Sequence, residues 1–240
     1  MSATRAEGNA EAAPADAASG TASGTTTTTT MKTVKVMLGS SSKWRAKLVA
    51  GVLPEGFELF PEQVAPDIDE KAIRRDDPHE LVTAIAQAKT DRLLEILDAR
   101  PAEAARPDVV ICADQVIVFD GTVREKPVDA AEAKSHLQSY GAEDKPAECT
   151  TGLVVTNLAT RKRVNGVDVA TQAFKPIPDD VADALIAKGD IMYCAGSFVA
   201  EDPLLEPYLG ERNGEMESVQ GMPVRLTQDL LRQSMQTDES

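Results

Sequence analysis

Apolar and polar residues along the chain follow two rhythms, a short-run or alternating one typical of strands and a three-to-four-residue one typical of helices. Residues 34–38 form a short apolar run that reads as a buried strand, and residues 39–42 (GSSS) form a loop of small residues. Residues 43–52 read as a helix, with Trp44, Leu48 and Val52 one turn apart. After a strand-like stretch at 57–64, Asp77 supplies an N-cap, Pro78 a first-turn proline and Glu80 an acidic first turn for a helix running to about residue 97. Residues 109–113 and 116–119 read as apolar strands interrupted by Asp114 and Gln115, and Asp120-Gly121 is a hairpin turn. A helix is expected at 130–140, and strands at 152–157 and 167–174 joined by a turn around the basic 161–163. A helix opened by Pro178-Asp179-Asp180 runs to Lys188-Gly189, and a last one follows Pro223. Strands mixed with helices, plus one hairpin, predict an α/β fold with a mixed rather than purely parallel sheet.

Residues 1–30 break both rhythms. They are mostly Ala, Gly, Ser and Thr, ending in threonines 25–30, and hold too little apolar surface to offset the entropy of ordering, so a disordered tail is expected. Glu7, Glu11 and Asp16 against the single Arg5 argue against a transit peptide. The expected folded domain is 31–235.

Composition narrows the function classes. A chain of 240 residues with 42% apolar content can bury a sizeable core as one domain. With 39 acidic against 25 basic residues and a formal charge of −14, broad binding to nucleic acid or to an anionic membrane is not expected. The three cysteines, Cys112, Cys149 and Cys194, are far apart and suggest neither a zinc site nor a disulfide framework. No apolar run approaches a membrane span and no secretory signal is evident, so a cytoplasmic protein is expected.

Several polar residues fit a structural pattern poorly. A carboxylate at Asp114, between two apolar strand segments, costs several kcal/mol unless it is paired or bound to a cation. An edge bulge turning Asp114 and Gln115 to solvent is the competing account. Lys89 lies on the apolar side of its helix with Ile85 and Leu93, where a lysine commonly snorkels to water. Glu70 belongs to an acidic stretch, 67–70, of the kind that is usually a solvated loop. The 39–42 loop, with Arg45 one turn into the following helix, has the makings of an anion site, although it is not a P-loop. Lys126 follows the hairpin and can return to the same end of the sheet. His79 and His136 are too few for a metal cluster or a Ser/His/Asp arrangement. Carboxylates with Lys and Arg around such a loop suit divalent-metal phosphoryl chemistry.

Taken in order, Leu38-Gly39-Ser40-Ser41-Ser42-Lys43-Trp44-Arg45, Ala113-Asp114-Gln115-Val116, Lys126-Pro127, Cys194-Ala195-Gly196-Ser197-Phe198 and Gly221-Met222-Pro223 resemble the motif series of the Maf nucleotide pyrophosphatases. The resemblance spans residues 31–231. It implies an elongated α/β fold with a mixed sheet, flanking helices and a central cleft, related to the inosine triphosphate pyrophosphatases. The implied reaction cleaves a nucleoside triphosphate to the monophosphate and pyrophosphate with Mg2+ or Mn2+. By the same resemblance Asp114, Glu70 and Lys89 are catalytic, with Asp114 the proton acceptor and Asp114 and Glu70 the metal ligands. Ser40, Arg45 and Lys126 bind phosphate, and a homodimer is allowed. Three positions depart from the family's usual residues: Lys43 stands for Pro, Glu125 for Gly and Ser218 for Asn.

Trp44, Gln115 and Glu201 resemble the 7-methyl-GTP branch; the UTP and dTTP branch typically has Arg, Thr and Gln there. A Trp face attracts the cationic 7-methylguanine ring by about 0.5–2 kcal/mol, and a carboxylate accepts from guanine N1–H and the exocyclic amine together. Periodicity alone would instead place Trp44 in the core with Leu48 and Val52. A UTP- or dTTP-directed enzyme, and a nucleotide-binding regulator without turnover, stay open as alternatives.

Overall fold

The computed structural model describes residues 33–142 and 145–237; the expected tail at 1–30 lies outside them. Strand β1 (Val34–Gly39) leads through the small-residue loop into helix α1 (Lys43–Val52). Ser42 caps that helix by accepting from the Arg45 N–H. Strand β2 (Phe57–Leu59) is shorter than expected, since only a single bridge, Gly39 with Val64, follows it. A 3-10 turn (Glu70–Ala72) precedes helix α2 (Pro78–Asp98), whose cap is Asp77 accepting from the N–H groups of His79 and Glu80. Then come β3 (Val109–Phe119), β4 (Thr122–Arg124) and α3 (Ala130–Tyr140). Next are β5 (Ala147–Asn157), β6 (Arg163–Phe174) and α4 (Asp179–Lys188), the last ending on Gly189 in the left-handed conformation. Further 3-10 turns at Asp190–Tyr193 and Ala195–Ser197 lead to β7 (Leu209–Asn213), α5 (Met216–Val219) and α6 (Val224–Met235).

The strands form one mixed sheet in the order β2-β1-β3-β5-β6-β7, with β4 also paired to β3. Strand β1 runs parallel to β2 and β3, whereas the neighbouring pairs β3–β5, β5–β6 and β6–β7 are antiparallel. The bulge at Asp114 and Gln115 does not occur: β3 is continuous, and its register with β5 is unbroken through Asp114 opposite Gly152 and Gln115 opposite Thr151. Strand β5 is likewise longer than its apolar run suggested, because Thr150 and Thr151 are buried inside the sheet despite their polarity, and β6 pairs along it from Arg163, four residues before its expected start.

One feature of the pairing makes the site. Strand β5 covers one edge of β3 along almost its whole length, so β1 and β4 share the other. Strand β1 reaches only from Val109 to Cys112 and β4 only from Ile117 to Phe119, which leaves residues 113–116 of β3 without a strand on that edge. The gap lies where the sheet changes from a parallel to an antiparallel neighbour, a place where open α/β sheets put their ligand sites. Side chains of β3 alternate about it. Val110, Cys112 and Val116 pack in clusters with residues of α2, whereas Val109, Ile111 and Ala113 pack on the opposite face with α1 and α6. Asp114 therefore projects toward α2 and Gln115 toward the other face, and both reach the gap.

Candidate active site

A cavity of about 550 Å³ opens at this gap. Every site residue inferred from the sequence lines it: Ser40, Trp44, Arg45, Glu70, Lys89, Asp114, Gln115, Lys126 and Glu201.

On the α2 face, Lys89 neither snorkels nor reaches bulk water. Its Nζ lies 2.7 Å from Asp114 Oδ1 and 2.9 Å from Glu70 Oε1, and the residue is buried. A buried ammonium is tolerated because two carboxylates compensate it, and each carboxylate is held by the same cation. Burial raises the Asp114 carboxyl above its ordinary value, although Lys89 and Arg45 pull it back, and Glu70 pushes in the same direction as burial. For Glu70, burial also pushes upward, but Lys89, Lys126 and Arg45 outweigh it and hold the group below its usual range. The two carboxylates are thus driven apart in acidity, Asp114 toward a proton acceptor and Glu70 toward a permanent anion. Lys126 completes the cluster 4.0 Å from Glu70 Oε2, with its side chain about half exposed.

The phosphate-friendly loop is ordered by its own hydroxyls. Ser40 Oγ accepts from the Ser42 N–H, and Ser42 Oγ from the Arg45 N–H. Arg45 is a fastener as well as a charge: Nε donates to the Gly221 carbonyl at 2.9 Å and Nη1 to the Ala113 carbonyl at 3.2 Å, satisfying an acceptor on the unpaired edge of β3. Gly221 has φ 82°, and a Cβ there would meet Gln115 Oε1 at 2.9 Å and Arg45 Nη2 at 3.2 Å.

On the other face, the Gln115 amide is committed. Its Nε2 donates to Thr151 Oγ1 and to the carbonyls of Ser218 and Val219, at 3.0 to 3.2 Å, so the atom left to offer is the acceptor Oε1. Ser218 takes part through its backbone, so a side chain other than the family's Asn leaves this contact intact. Trp44 does not join Leu48 and Val52 in the core: they pack with β1 and α6, whereas Trp44 packs against the cluster of α3 and α4 across the cavity. Its indole nitrogen is buried without a hydrogen bond of sound geometry, beside the Cys194 thiol, whose pKa burial pushes up to about 11. The ring is not bare, since the ammonium groups of Lys43 and Lys47 lie 5.2 and 4.9 Å from its centroid. Lys43 is in turn tied to Asp190 at 2.5 Å.

The segment 194–198 frames this side. Gly196 adopts φ 66°, its N–H donates to the Glu125 carbonyl, and its own carbonyl accepts from the buried Tyr140 hydroxyl. Ser197 Oγ lies 2.8 Å from His136 Nδ1, and His136 Nε2 lies 3.9 Å from Glu132, a hydroxyl, imidazole and carboxylate in sequence. Ser197 has no exposed surface, so the trio serves as a strut and not as a nucleophile. The cavity also takes in Tyr193, at the head of the 193–198 string that resembles the 7-methyl-GTP branch, and Lys71 and Gln220, which carried no chemical reading in the sequence because a lysine in a charged stretch and a single loop residue have no periodicity.

Of the carboxylates that line the cavity, Asp114 and Glu70 are the pair that meets at Lys89 and could hold a divalent cation; no group of three or more His, Cys, Asp or Glu residues suited to a metal occurs among the described residues. That donor set fits Mg2+ or Mn2+ held jointly with substrate phosphates, and does not fit an all-protein cage. No helix among the described residues is long and apolar enough to cross a membrane.

Residues 35–234 match the family described as Maf-like protein. A 7-methyl-GTP pyrophosphatase of Dictyostelium discoideum is 40% identical over 206 residues, covering 86% of this chain and 100% of that protein. A 7-methyl-GTP pyrophosphatase of Idiomarina loihiensis is 28% identical over 83% of this chain and 94% of its own length. A nucleoside triphosphate pyrophosphatase of a Synechococcus strain is 30% identical over 84% of this chain and 92% of its own length.

Proposed function

The chain belongs to the Maf-like protein family, and on that premise we propose that it hydrolyses 7-methyl-GTP, or a closely related modified nucleotide, to the monophosphate and pyrophosphate. The observation that carries this reading is the meeting, in one cavity, of the Glu70–Lys89–Asp114 ion cluster with the base-side residues Trp44, Gln115 and Glu201.

The triphosphate lies along the gap in β3 with its charge toward Arg45, Lys89, Lys126 and the 40–42 loop. Asp114 takes a proton from the attacking water, whose oxygen forms the new bond to the α-phosphorus as the bond to the bridging oxygen breaks and pyrophosphate leaves. The upward pull of burial on Asp114 suits it to that task. Lys89 holds the carboxylate in place, and Arg45 fixes the strand edge that carries it. A divalent cation held by Asp114 and Glu70 together with phosphate oxygens would supply neutralisation of the developing charge.

Base choice follows from the groups left unspent. Gln115 offers an acceptor and Glu201 a carboxylate, which together suit the donor edge of guanine and leave uracil or thymine with one donor for two acceptors. A cationic base stacking on Trp44 takes the place of a lysine ammonium now near the ring. Pyrophosphate release from 7-methyl-GTP by the unmutated chain and by Asp114→Asn tests the assignment. We expect release by the first and loss of nearly all of it in the second; a chain that binds the nucleotide without releasing pyrophosphate would instead be a regulator.

A further inference from the structure

Glu125 sets an anion immediately before the phosphate-side Lys126, a costly position in a site built to hold phosphate. The structure answers that charge with Arg74. Arg74 follows the 3-10 turn that begins at Glu70, and its Nη1 donates to the Ile73 carbonyl at 2.9 Å and to the Glu70 carbonyl at 3.4 Å. Nη1 and Nη2 each also lie 3.4 Å from one oxygen of the Glu125 carboxylate, a two-pronged approach. The Glu125 carbonyl accepts from the Gly196 N–H at 3.0 Å. A continuous set of contacts therefore runs from the Glu70 backbone through Arg74 and Glu125 to Gly196, beside the 4.0 Å approach of Lys126 to the Glu70 carboxylate.

We propose that Arg74 and Glu125 form a clamp that sets the separation of the Glu70 and Lys126 segments across the phosphate end of the cleft, so that both are positioning residues for the reaction proposed above, on which this inference rests. Two things require such a clamp. Strand β4 is three residues long, so the 125–129 segment that carries Lys126 leaves the sheet with little ladder to fix it. An unpaired Glu125 would also compete with phosphate for the Lys126 ammonium, and pairing it with Arg74 removes that competition while keeping the segment anchored. Both partners are substantially exposed, at 52% and 36% of their side chains, so the clamp is modest in strength and sensitive to salt.

The test compares the full chain with Arg74→Gln, Glu125→Gln and the double variant, reading kcat, KM, melting temperature and the Kd for inorganic tripolyphosphate. Each single variant should lose about two- to fivefold in kcat/KM, the range an exposed ion pair supports, with an unchanged melting temperature. The double variant should lose no more than the worse single, and the differences should shrink in about 0.5 M salt. A Glu125→Gln variant that equals or exceeds the unmutated chain would overturn the clamp, since Glu125 would then be only an opposing charge, as would losses that multiply in the double variant. If the unmutated chain released no pyrophosphate, the proposed function would fall, and the clamp would be judged on tripolyphosphate affinity alone. That affinity should weaken in both single variants and no further in the double, and unchanged affinity would overturn it.

Discussion

Gly152 stands opposite Asp114 across the β3–β5 pair, and the absence of a side chain there lets α2 come close enough for Lys89 to hold the Asp114 carboxylate. A Cβ on Gly152 would lie 2.8 Å from the Val82 backbone carbon on α2, a contact that a rigid helix cannot absorb. Gly152→Ala should therefore push α2 outward, costing about 1–3 kcal/mol of stability. It should also lower kcat by more than the fraction unfolded accounts for, because the Lys89 contact lengthens. Thermal unfolding and kcat at a temperature where the variant is folded check this; a destabilised variant with unmutated kcat would separate the helix position from the chemistry.

The charge cluster gives a pH dependence with a definite sign. Asp114 accepts a proton only when ionised, so kcat/KM rises with pH through its pKa, which burial places above that of an ordinary aspartate and Lys89 draws back down. Lys89→Met removes that pull, so the acid limb of kcat/KM should move to higher pH as the maximum falls. Glu70→Gln removes an upward push and should move the limb the other way, alongside any loss of cation binding. A limb that stays put in both variants would mean that a different group titrates.

If a divalent cation is held by Asp114 and Glu70, which already share Lys89, it should bind weakly until phosphate oxygens complete its shell. Calorimetry with Mn2+ should show little binding to the free chain and clear binding with a non-hydrolysable triphosphate, and chelation should abolish turnover. Tight binding of Mn2+ to the free chain would indicate a cage that Asp114 and Glu70 alone do not form.

Lys47 and Lys43 occupy the surroundings of the Trp44 ring that a cationic base needs. Lys47→Gln removes a like charge and a competitor for the ring, so the ratio of kcat/KM for 7-methyl-GTP over GTP should rise by a few fold, within the range of one cation–π contact. Trp44→Ala should lower the same ratio. A ratio that Lys47→Gln leaves unchanged would place the base elsewhere than on Trp44.

Local signals were legible in the sequence, and long-range ones were not. Asp77 with Pro78 and Gly189 after Lys188 act within one turn of the helices they bound, and the spacing of Trp44, Leu48 and Val52 lies within its own helix; the helices at 43–52 and 130–140 matched to the residue. Asp114 looked like a break in β3 because the compensating Lys89 comes from another element, and Gly152, which admits that element, lies 38 positions further along. Lys89 and Glu70, taken singly, matched the commoner snorkelling lysine and solvated acid; only their meeting across the fold makes them a cluster. The edge gap at 113–116 depends on where β1 and β4 stop, which no periodicity records. Arg74 and Glu125 sit on separate loops, so their pairing carried no sequence signal.

The base pocket stands or falls on kcat/KM for 7-methyl-GTP against UTP in the unmutated chain, with the combined Trp44→Arg, Gln115→Thr, Glu201→Gln variant as the comparison. We expect 7-methyl-GTP to be preferred by at least about tenfold, since a pyrimidine seated over half-buried Gln115 and exposed Glu201 shields two acceptors from water while offering them one donor, and the combined variant should shift the ratio toward UTP. Equal values for the two nucleotides in the unmutated chain, or a ratio that the combined variant leaves where it was, would contradict it.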